Sequence, residues 1–466
     1  MNSEQIWKPG EGDPSRHGWR TRVTAPGPRG GDLIRSIGAM RREPLNYLNE
    51  VWTRYGDVVQ FPIPTPPTYL INSPSGVRQV LQDNNRAYSK RTIQYDALSL
   101  VTGSGLLTAD VDTWRPMRRR VQPAFHHEAI GQVGEHVNAA ARALESTWNS
   151  AIGSREATII DVDAAMMEST VQVVGSSLFG TDLTGEARRL AEATVAALDV
   201  VIARARMPLP IAQWLPTPNN LRLRRHNRTL DHSVEALVAH RRRKPASEHP
   251  HDFLAMLLAS SGDCADLTPT QVRNEVVTFL VAGHETVASA LSWAFSLLAE
   301  SSEWTHRLRA EVDALDGQLT VEALSRLPAT RAVIDETLRM YPPAWVITRK
   351  ALVDDVVVGH HIPRGALLII SPWLLHRHQE EWDRPNSFEP QRFLPSDEVR
   401  RTAYIPFGAG PRMCIGRDFA LVEATLMLAH VMAKFELSRV EGGTPRAIPS
   451  VTLRPDGGLP MRVRHR

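Results

Sequence analysis

The sequence predicts a mainly α-helical fold with a few short β-strands, and three observations lead to this prediction. Apolar residues recur at helical spacing over most of the 466 residues. One helical stretch, from Pro269 to about Glu300, continues for roughly 31 residues, or about 46 Å at the α-helical rise. β-Branched residues in alternation occupy only short segments. With 42% hydrophobic and 23% charged residues, the chain can bury a large core.

The first half of the chain is interpreted as helices around one small pair of strands. An amphipathic helix is predicted from Pro44 to Tyr55, followed by strands from Val58 to Phe61 and from Thr68 to Ile71. A polar loop is predicted from Pro245 to Pro250. Further helices are predicted over Ser75–Leu81, Thr113–Ala124, Ile130–Trp148, Ala164–Phe179, Glu186–Ala205, Leu221–Arg243 and Asp252–Ser260.

The longest helix has a well-marked start. Thr268 is a good N-cap, Pro269 suits the first helical position, and Gln271 completes a capping box. Beyond this helix, β-branched residues between Val353 and Ile370 predict strands. A final hairpin is predicted over Thr452 to Val463, around an Asp-Gly-Gly turn.

Composition excludes several classes of protein. The net charge of +3 is small and the arginines are dispersed, so no nucleic-acid surface is expected. The sequence contains no run of eighteen apolar residues, so no membrane anchor is expected. The N-terminus is polar and is not expected to be a secretory signal. We expect a disordered or extended leader over residues 1–30 and one domain over residues 31–466. The two cysteines, Cys264 and Cys414, favour a reducing cytoplasm.

Cys414 lies in a glycine-rich loop ahead of a strongly helical stretch. A lone thiolate cannot build a tetrahedral zinc site or an iron–sulfur cluster, but it can be the axial ligand of a haem iron. Gly408 and Gly410 allow positive φ, and Gly416 opens the next helix without a side chain. Arg412 is placed to meet a haem carboxylate.

This loop resembles the haem-thiolate signature of the cytochromes P-450, F-x-x-G-x-R-x-C-x-G. Its fixed positions are filled by Phe407, Gly410, Arg412, Cys414 and Gly416. The resemblance implies that Cys414 binds the iron of haem b. It also implies the family fold, a helix-rich triangular prism with small β-sheets near the N-terminus and the C-terminus.

A second motif lies in the longest helix, where residues 282–286 read A-G-H-E-T and resemble the oxygen-activating motif of the family, A-G-x-[DE]-T. The resemblance places Ala282 and Gly283 against the haem. A threonine hydroxyl can bond a carbonyl one turn back and leave a local bulge for O₂ and water. Thr286 would then position proton-donating water, and Glu285 would link that water to bulk solvent. His284 is assigned no role.

A third motif is E-x-x-R, formed by Glu336 and Arg339, which are three residues apart and share a helical face. Most such pairs are surface pairs worth little. Here F-E-P-Q-R-F follows at residues 388–393, and the combination resembles the family's Glu-Arg-Arg triad with Arg392 as third member. The triad would fix the segment that precedes Cys414.

The remaining haem contacts come from weaker resemblances. Trp114 and Arg118 are one helical turn apart and resemble a family motif that meets the haem propionates, although they could equally be a packing pair. Arg349 stands where relatives place another propionate arginine, and His376 stands where they often place a further contact.

By family analogy, the substrate pocket is apolar and implies a hydrophobic small molecule, with terpenoids, polyketides, peptides and fatty acids left open. Trp345 would be a large apolar wall or else a core aromatic. The pocket residues expected are Leu98, Val101, Phe279, Ala344, Trp345 and Val346.

The resemblance implies a soluble bacterial-type monooxygenase that inserts one atom of O₂ by hydroxylation or epoxidation. The chain shows neither a dinucleotide-binding motif nor a set of cluster cysteines, so a separate ferredoxin and ferredoxin reductase are expected to supply electrons to a monomer. The basic run Arg118–Arg120, with Arg115 and Arg417, would attract an acidic ferredoxin, unless these residues are only a solvated face.

Three alternatives remain at this point. One is a haem-thiolate enzyme that is not a monooxygenase: it would perform oxidative coupling or rearrangement, or it would rearrange peroxides or dehydrate substrates without O₂. Another is a peroxide-driven hydroxylase, which would replace Glu285 and Thr286 with an arginine that binds the substrate carboxylate. The third is a non-catalytic haem sensor. The pair Glu285-Thr286 argues against all three.

Overall fold

The computed structural model describes residues 25–29, 32–63, 65–180, 193–198, 200–201, 214–243, 252–259, 266–394, 401–440 and 444–466. Helices dominate these residues, as the sequence predicts. They are α1 Leu33–Arg42, α2 Pro44–Tyr55, α3 Pro74–Arg78, α4 Ile93–Thr102, α5 Val111–Val121, α6 His127–Ile152, α7 Val162–Phe179, α8 Pro218–Arg243, α9 Phe253–Leu258, α10 Pro269–Leu298, α11 Ser302–Asp313, α12 Pro328–Met340, α13 Pro372–Leu375 and α14 Arg417–Lys434.

The strands within the described residues are short and form four small sheets. They are β1 Val58–Phe61, β2 Thr68–Ile71, β3 Tyr88–Ser89, β4 Thr158–Asp161, β5 Ile347–Ala351, β6 Asp355–Val357, β7 His360–Ile362, β8 Leu367–Ile370, β9 Phe435–Arg439, β10 Ala447–Pro449, β11 Leu453–Pro455 and β12 Pro460–His465. The largest sheet has the order β1-β2-β8-β5-β3, and the others are β4-β12-β9, β10-β11 and β6-β7. The first sheet joins the N-terminal third of the chain to the segment that follows α12.

Helix α10 crosses the centre of the molecule. Its capping box is formed as predicted, since the Thr268 hydroxyl accepts from the Gln271 N–H at 3.2 Å and the Gln271 side chain accepts from the Thr268 N–H at 2.9 Å. The helix packs along α7 and contacts α12 and α14. It is buried around its whole circumference over most of its length, which is typical of the central helix of a large core.

By length and composition α10 could span a membrane. However, 83% of its most apolar window is buried inside the protein. Among the described residues it is the one helix that meets that test, and its burial identifies it as a core helix.

Two features differ from the sequence predictions, and a third prediction is covered only in part. The hairpin expected over Thr452 to Val463 is wrong, because β11 pairs with β10 whereas β12 lies between β4 and β9. Helix α4 was not predicted from the sequence. The helix predicted over Glu186–Ala205 lies largely outside the described residues. Within that range the structure describes residues 193–198 and 200–201, and these are helical.

The leader predicted over residues 1–30 is described only at residues 25–29. These residues lie along the edge of the first sheet, where Ala25 is buried and the Gln60 N–H donates to the Pro26 carbonyl at 2.8 Å. The loop predicted from Pro245 to Pro250 and the second cysteine, Cys264, lie outside the described residues.

Candidate active site

The loop around Cys414 owes its shape to two glycines with positive φ. Gly408 has φ +73° and Gly410 has φ +70°, a region that side chains rarely adopt. A Cβ atom at Gly410 would also lie 2.0 Å from the Leu81 carbonyl oxygen, so this position requires glycine on two grounds. The turn is closed by the Cys414 N–H, which donates to the Phe407 carbonyl at 2.9 Å.

The Cys414 side chain faces a buried cavity of about 320 Å³. Burial raises the pKa of the thiol. A hydrogen bond from the Gly416 N–H and the positive charges of Arg118 and Lys90 act in the opposite direction and favour the thiolate. The Cys414 side chain is exposed to this cavity, and the protein atoms around its sulfur disfavour the thiolate while the Gly416 N–H and the two cations favour it. Phe407, Gly408, Arg412 and Gly416 line the same cavity.

Helix α10 contributes Ala282, Gly283, Glu285 and Thr286 to the wall of this cavity. The Thr286 hydroxyl donates to the Ala282 carbonyl at 2.8 Å, one turn back, as the sequence predicts. The helix nevertheless continues as α-helix through these residues, and the expected local bulge does not interrupt it.

Gly283 has a packing reason that the sequence did not reveal. A Cβ atom there would lie 2.8 Å from a methyl group of Val174 on α7, which is tighter than side chains tolerate. The glycine thus allows α7 to approach α10 beside the cavity. The resemblance placed Gly283 against the haem, and the structure shows that α7 also approaches this glycine closely.

Glu285 is buried, and its carboxylate accepts a hydrogen bond from the Thr452 hydroxyl at 3.0 Å. The neighbouring His284 points away from the cavity and bonds the Leu280 carbonyl through Nδ1. Burial lowers the pKa of His284 to about 4, so it is neutral at physiological pH. His284 is not a cavity-lining residue, in agreement with the absence of a predicted role.

Four cationic side chains line the cavity: Lys90, Arg118, Arg349 and Arg412. Arg118 donates to the Met413 carbonyl at 2.8 Å, so it also supports the loop that carries Cys414. Arg412 donates to the Ala109 carbonyl at 2.7 Å, and its guanidinium carbon lies 4.1 Å from the centre of the Trp114 ring.

Arg349 is buried and donates to the Thr348 carbonyl at 2.9 Å. Within the described residues no salt bridge joins a carboxylate to any of the four cations, and the carboxylate of nearby Asp110 is paired with Arg91 at 2.8 Å. Two of the four cations are buried and two are half-buried, and such cations without carboxylate partners fit a ligand that brings its own carboxylates. The haem propionates would do so, and with the single thiol of Cys414 the residues present fit a haem.

Lys90 was not identified from the sequence. It follows the two-residue strand β3 and precedes α4, and nothing in the local pattern distinguishes it from a surface lysine. Its burial becomes visible only when β3 pairs with β5 and carries Lys90 next to Arg349.

The expectation that His376 contacts a haem propionate is wrong. His376 is fully buried outside the cavity lining, where Nδ1 bonds the Arg339 carbonyl at 3.1 Å and Nε2 accepts from the Ile405 N–H at 2.9 Å. Burial, together with the charge of Arg339, lowers the pKa of His376 to about 3. This neutral ring therefore connects α12 to the segment that leads into the Cys414 loop.

Glu336, Arg339 and Arg392 come together as the resemblance implies. Arg339 holds the Glu336 carboxylate with two hydrogen bonds of 2.7 and 2.8 Å, and both side chains are fully buried. Arg392 approaches the same carboxylate at 3.6 Å, and the Glu389 N–H donates to it at 2.8 Å.

Arg339 also binds the chain between α13 and the Cys414 loop. Its guanidinium donates to the carbonyls of His376, Pro385 and Ser387 at 2.9, 2.7 and 3.0 Å. All five of its donors can therefore be used, and one buried side chain holds three points of this connecting segment.

Of the predicted pocket residues, four line the cavity and two do not. Leu98, Phe279, Ala344 and Val346 line it. The assignment of Trp345 is wrong because alternate residues of extended chain face opposite sides, so Ala344 and Val346 face the cavity while Trp345 packs on the other side and donates to the Ser450 carbonyl at 3.0 Å.

The assignment of Val101 to the pocket is also wrong. Its side chain is fully buried in the main core, and its carbonyl accepts a hydrogen bond of 2.6 Å from Arg273 on α10. Val101 belongs to the last turn of α4, beyond the part of that helix that faces the cavity.

Comparison with known proteins gives a consistent result. The family model described as "Cytochrome P450" matches residues 26–459. The chain is 33% identical to pentalenene oxygenase of Streptomyces avermitilis over 91% of its length and 93% of that protein. It is 35% identical to cyclooctat-9-en-7-ol 5-monooxygenase of Streptomyces melanosporofaciens over 92% of both chains.

Among solved structures, the fold resembles that of CYP175A1 from Thermus thermophilus. The TM-score is 0.74 at 31% identity, and the likeness covers 94% of this chain and 100% of the other. The family match, the near full-length relatives and the cysteine loop agree with one another. The chain therefore belongs to the cytochrome P450 family and is a haem-thiolate monooxygenase.

Proposed function

We propose that this monooxygenase hydroxylates or epoxidises a terpenoid, either a hydrocarbon or an alcohol with few polar groups, in bacterial secondary metabolism. The observation that carries the proposal is that Cys414 and Thr286 line one buried, largely apolar cavity. Leu98, Phe279 and Val346 give that cavity a wall with little capacity to bond polar groups. Two Streptomyces relatives are named for pentalenene and for cyclooctat-9-en-7-ol, an alkene and an unsaturated alcohol.

In the proposed site, haem b is held by Cys414 through its thiolate. When bound, the haem supplies the iron chemistry that activates O₂ and oxidises the substrate. The protein contributes the surroundings of the sulfur, since the Gly416 N–H and Arg118 stabilise its negative charge. Trp114, Arg118, Arg349 and Arg412 would hold the propionate edge, because all four line the cavity and three of them carry a positive charge.

Thr286 and Glu285 are proposed as the residues that manage protons. The Thr286 hydroxyl is already bonded to the Ala282 carbonyl, so its oxygen is oriented and can accept from a water molecule in the cavity. Glu285 lies one residue earlier in α10 and reaches the buried end of β11 through Thr452. This position suits an acid that passes protons between solvent and the cavity.

Glu336, Arg339 and Arg392 are proposed to act on structure and not on chemistry. They lie outside the cavity lining, and Arg339 binds three carbonyls of the connecting segment. Their role would be to keep the Cys414 loop in place before and after haem binding.

Electrons are proposed to come from a separate ferredoxin, itself reduced by a ferredoxin reductase, and the protein is proposed to act as a cytoplasmic monomer. Arg115, Arg119 and Arg417 are exposed near the loop that carries Cys414. Arg120 is not part of this surface, since it is half-buried and donates to the carbonyls of Met256 and Ala259 at the end of α9. The proposed docking surface therefore consists of Arg115, Arg119 and Arg417.

A titration monitored by optical difference spectroscopy tests the substrate class. The purified enzyme is mixed with a terpenoid hydrocarbon, a terpenoid alcohol, a long-chain fatty acid, a macrocyclic polyketide and a cyclic peptide. We expect a saturable spin-state change with a terpenoid and, for that compound, an oxygenated product when a surrogate ferredoxin system is added. A response confined to the fatty acid, the polyketide or the peptide would contradict the proposed class.

A further inference from the structure

Positive charge is concentrated on the outer face of helix α8. Four exposed arginines lie within about two turns near its N-terminus: Arg222, Arg224, Arg225 and Arg228. The first acidic residue along the helix, Asp231, is paired with Arg273 of α10 at 2.7 Å. Among the described residues, no carboxylate forms a salt bridge with Arg222, Arg225 or Arg228. Because guanidinium groups stay protonated, this face is positive throughout the physiological pH range.

Two large apolar side chains lie beside these arginines and are exposed. Trp214 is 76% exposed, the highest value among the large apolar residues that the structure describes, and Leu221 is 51% exposed. The chain before α8 folds back onto the helix, since Asn220 donates to the Leu215 carbonyl at 2.8 Å and Arg224 donates to the Trp214 carbonyl at 3.5 Å. Trp214 is therefore held next to the arginines, where its indole meets water.

Leu221, Arg225 and Arg228 share one face of α8. Spacings of four and three residues place them in a single row along the helix. The opposite face is directed inwards, where Leu223 and Leu230 are buried in the main core. The row therefore combines a leucine with two arginines on a face that packs against no other element.

The inner side of α8 packs over the cavity that holds the site. Asn227 donates to the Leu100 carbonyl in α4 at 2.8 Å. Arg273 of α10 joins Asp231 of α8 to the Val101 carbonyl at the end of α4, with hydrogen bonds of 2.7 and 2.6 Å. Since α4 and α10 both line the cavity, the arginines of α8 lie on the outside of a helix that covers it.

We propose that one surface, formed by Trp214, Leu221, Arg222, Arg225 and Arg228 and called the α8 surface below, binds the anionic headgroup layer of a phospholipid bilayer. The arginines would bond lipid phosphates, and the two apolar side chains would enter the boundary between headgroups and acyl chains. The attachment is peripheral and reversible, because α8 lies along the bilayer and does not cross it. An apolar substrate dissolved in the lipid would then lie close to the helix that covers the cavity, and this last consequence alone rests on the proposed function.

The composition of the α8 surface favours a bilayer over an acidic protein or a nucleic acid. Tryptophan, leucine and arginine together are typical of segments that lie in a membrane interface, where each finds its own environment. An acidic protein or a duplex would bond the arginines but would gain little from the exposed Leu221 between them. Anionic lipid strengthens binding by about fivefold for each arginine near the surface, so three arginines suffice for measurable attachment.

Sedimentation of the holoenzyme with vesicles tests the electrostatic part. The vesicles consist of phosphatidylcholine alone or of equal parts of phosphatidylcholine and phosphatidylglycerol, at low and at high salt. We expect the wild type to bind the anionic vesicles at low salt and to lose most of this binding at high salt. The double variant Arg225→Gln, Arg228→Gln should lower the partition coefficient about twentyfold. The matched control, Arg155→Gln with Arg364→Gln, removes two exposed charges from other elements and should bind like the wild type.

Tryptophan fluorescence tests the apolar part. Brominated phosphatidylglycerol quenches a tryptophan that enters the bilayer, and the chain has 11 tryptophans. We expect quenching in the vesicle-bound wild type and little quenching in Trp214→Phe. Trp373→Phe, at a half-buried position on α13, should keep the wild-type quenching. All of the substituted side chains lie outside the cavity lining, so an unchanged haem content and reduced carbonyl spectrum will show that each variant is folded.

Three results would each overturn the proposal. One is wild-type protein that binds anionic vesicles no better than neutral ones. Another is equal vesicle binding by the wild type and the Arg225→Gln, Arg228→Gln variant; if that variant has instead lost binding to an acidic ferredoxin or to duplex DNA, the α8 surface belongs to that macromolecule. The third is quenching that is unchanged in Trp214→Phe. No measurement involves a substrate, so the outcome is independent of the proposed terpenoid class.

Discussion

The Thr452 hydroxyl donates a hydrogen bond of 3.0 Å to the carboxylate of Glu285, and both residues are buried. Thr452 immediately precedes β11 in the C-terminal part of the chain, whereas Glu285 lies in the middle of α10. The contact joins parts of the chain 167 residues apart and sets the position of the acid that we propose as a proton donor. Both residues also line the cavity.

Removing this hydroxyl should impair catalysis without unfolding the protein. Thr452→Val keeps the shape of the side chain, and we expect the ratio of product to NADPH consumed to fall several-fold because Glu285 is no longer held. Thr452→Ser should restore most of the wild-type ratio. Thr305→Val, which removes a partly buried hydroxyl on α11, serves as the control. Equal ratios in Thr452→Val and the wild type would show that Glu285 needs no such support.

The sequence predicted those parts of the site that depend on local geometry. Thr286 bonds the carbonyl one turn back, Glu336 and Arg339 share a helical face, and Gly408 and Gly410 have positive φ. Each of these relationships involves residues a few positions apart, so the backbone periodicity that places them can be deduced from the sequence. The boundaries of α10 and its capping box follow for the same reason.

The features that were missed depend on contacts between distant segments. Lys90 and Thr452 acquire their surroundings only when β3 pairs with β5 and when β11 packs against α10. His376 was assigned to the haem by analogy, yet it bonds Arg339 and Ile405 instead. Trp345 was judged by its size, whereas the alternation of extended chain decides which side it faces.

Replacing Thr286 by alanine should separate haem binding from oxygen use. The substitution removes one hydroxyl whose bond lies within its own helix, so haem content and substrate binding should stay near the wild type. We expect NADPH consumption to continue while product falls several-fold and hydrogen peroxide rises to account for the difference. Measuring all three in the same reaction checks this. Product and NADPH in the wild-type ratio would remove the role that we propose for Thr286.

The buried Glu336–Arg339 pair should be costly to break. Glu336→Ala leaves Arg339 charged and fully buried without its carboxylate, which costs about 3–5 kcal/mol of folding stability. We expect little haem incorporation, measured as haem per purified polypeptide, and a lower midpoint in urea unfolding. Glu303→Ala breaks a pair with Arg307 on the exposed face of α11, and should cost at most about 0.5 kcal/mol. A stable Glu336→Ala holoprotein would contradict the structural role of the triad.

The proposed ferredoxin surface predicts a salt-dependent effect. Arg119 is exposed on α5, and Arg119→Glu should slow reduction by an acidic ferredoxin most strongly at low ionic strength, because added salt screens exposed charges. Arg364→Glu reverses an exposed charge in the β7–β8 turn and controls for net charge. Stopped-flow reduction at two salt concentrations gives the comparison. Identical rates for Arg119→Glu and wild type at low salt would exclude Arg119 from the docking surface.

Glu275 should make stability depend on pH. It is buried on α10, it accepts a hydrogen bond of 3.1 Å from the Leu106 N–H, and burial raises its pKa to about 7. A carboxyl whose pKa is raised by folding binds its proton more tightly in the folded state. Its contribution to the free energy of unfolding is therefore fully present below the unfolded pKa near 4.5 and is lost as the pH rises through about 7. The loss amounts to about 3 kcal/mol at most.

Glu275→Gln keeps an acceptor for the Leu106 N–H but carries no charge, so it should remove this dependence. We expect the variant to be more stable than the wild type at pH 8 and similar to it near pH 4.5, as measured by denaturant unfolding at both values. The Glu303→Ala variant, which removes an exposed carboxylate instead of a buried one, should show the wild-type change with pH. A Glu275→Gln protein whose stability falls between these two pH values as steeply as that of the wild type would show that Glu275 is ionised in the folded protein already at low pH.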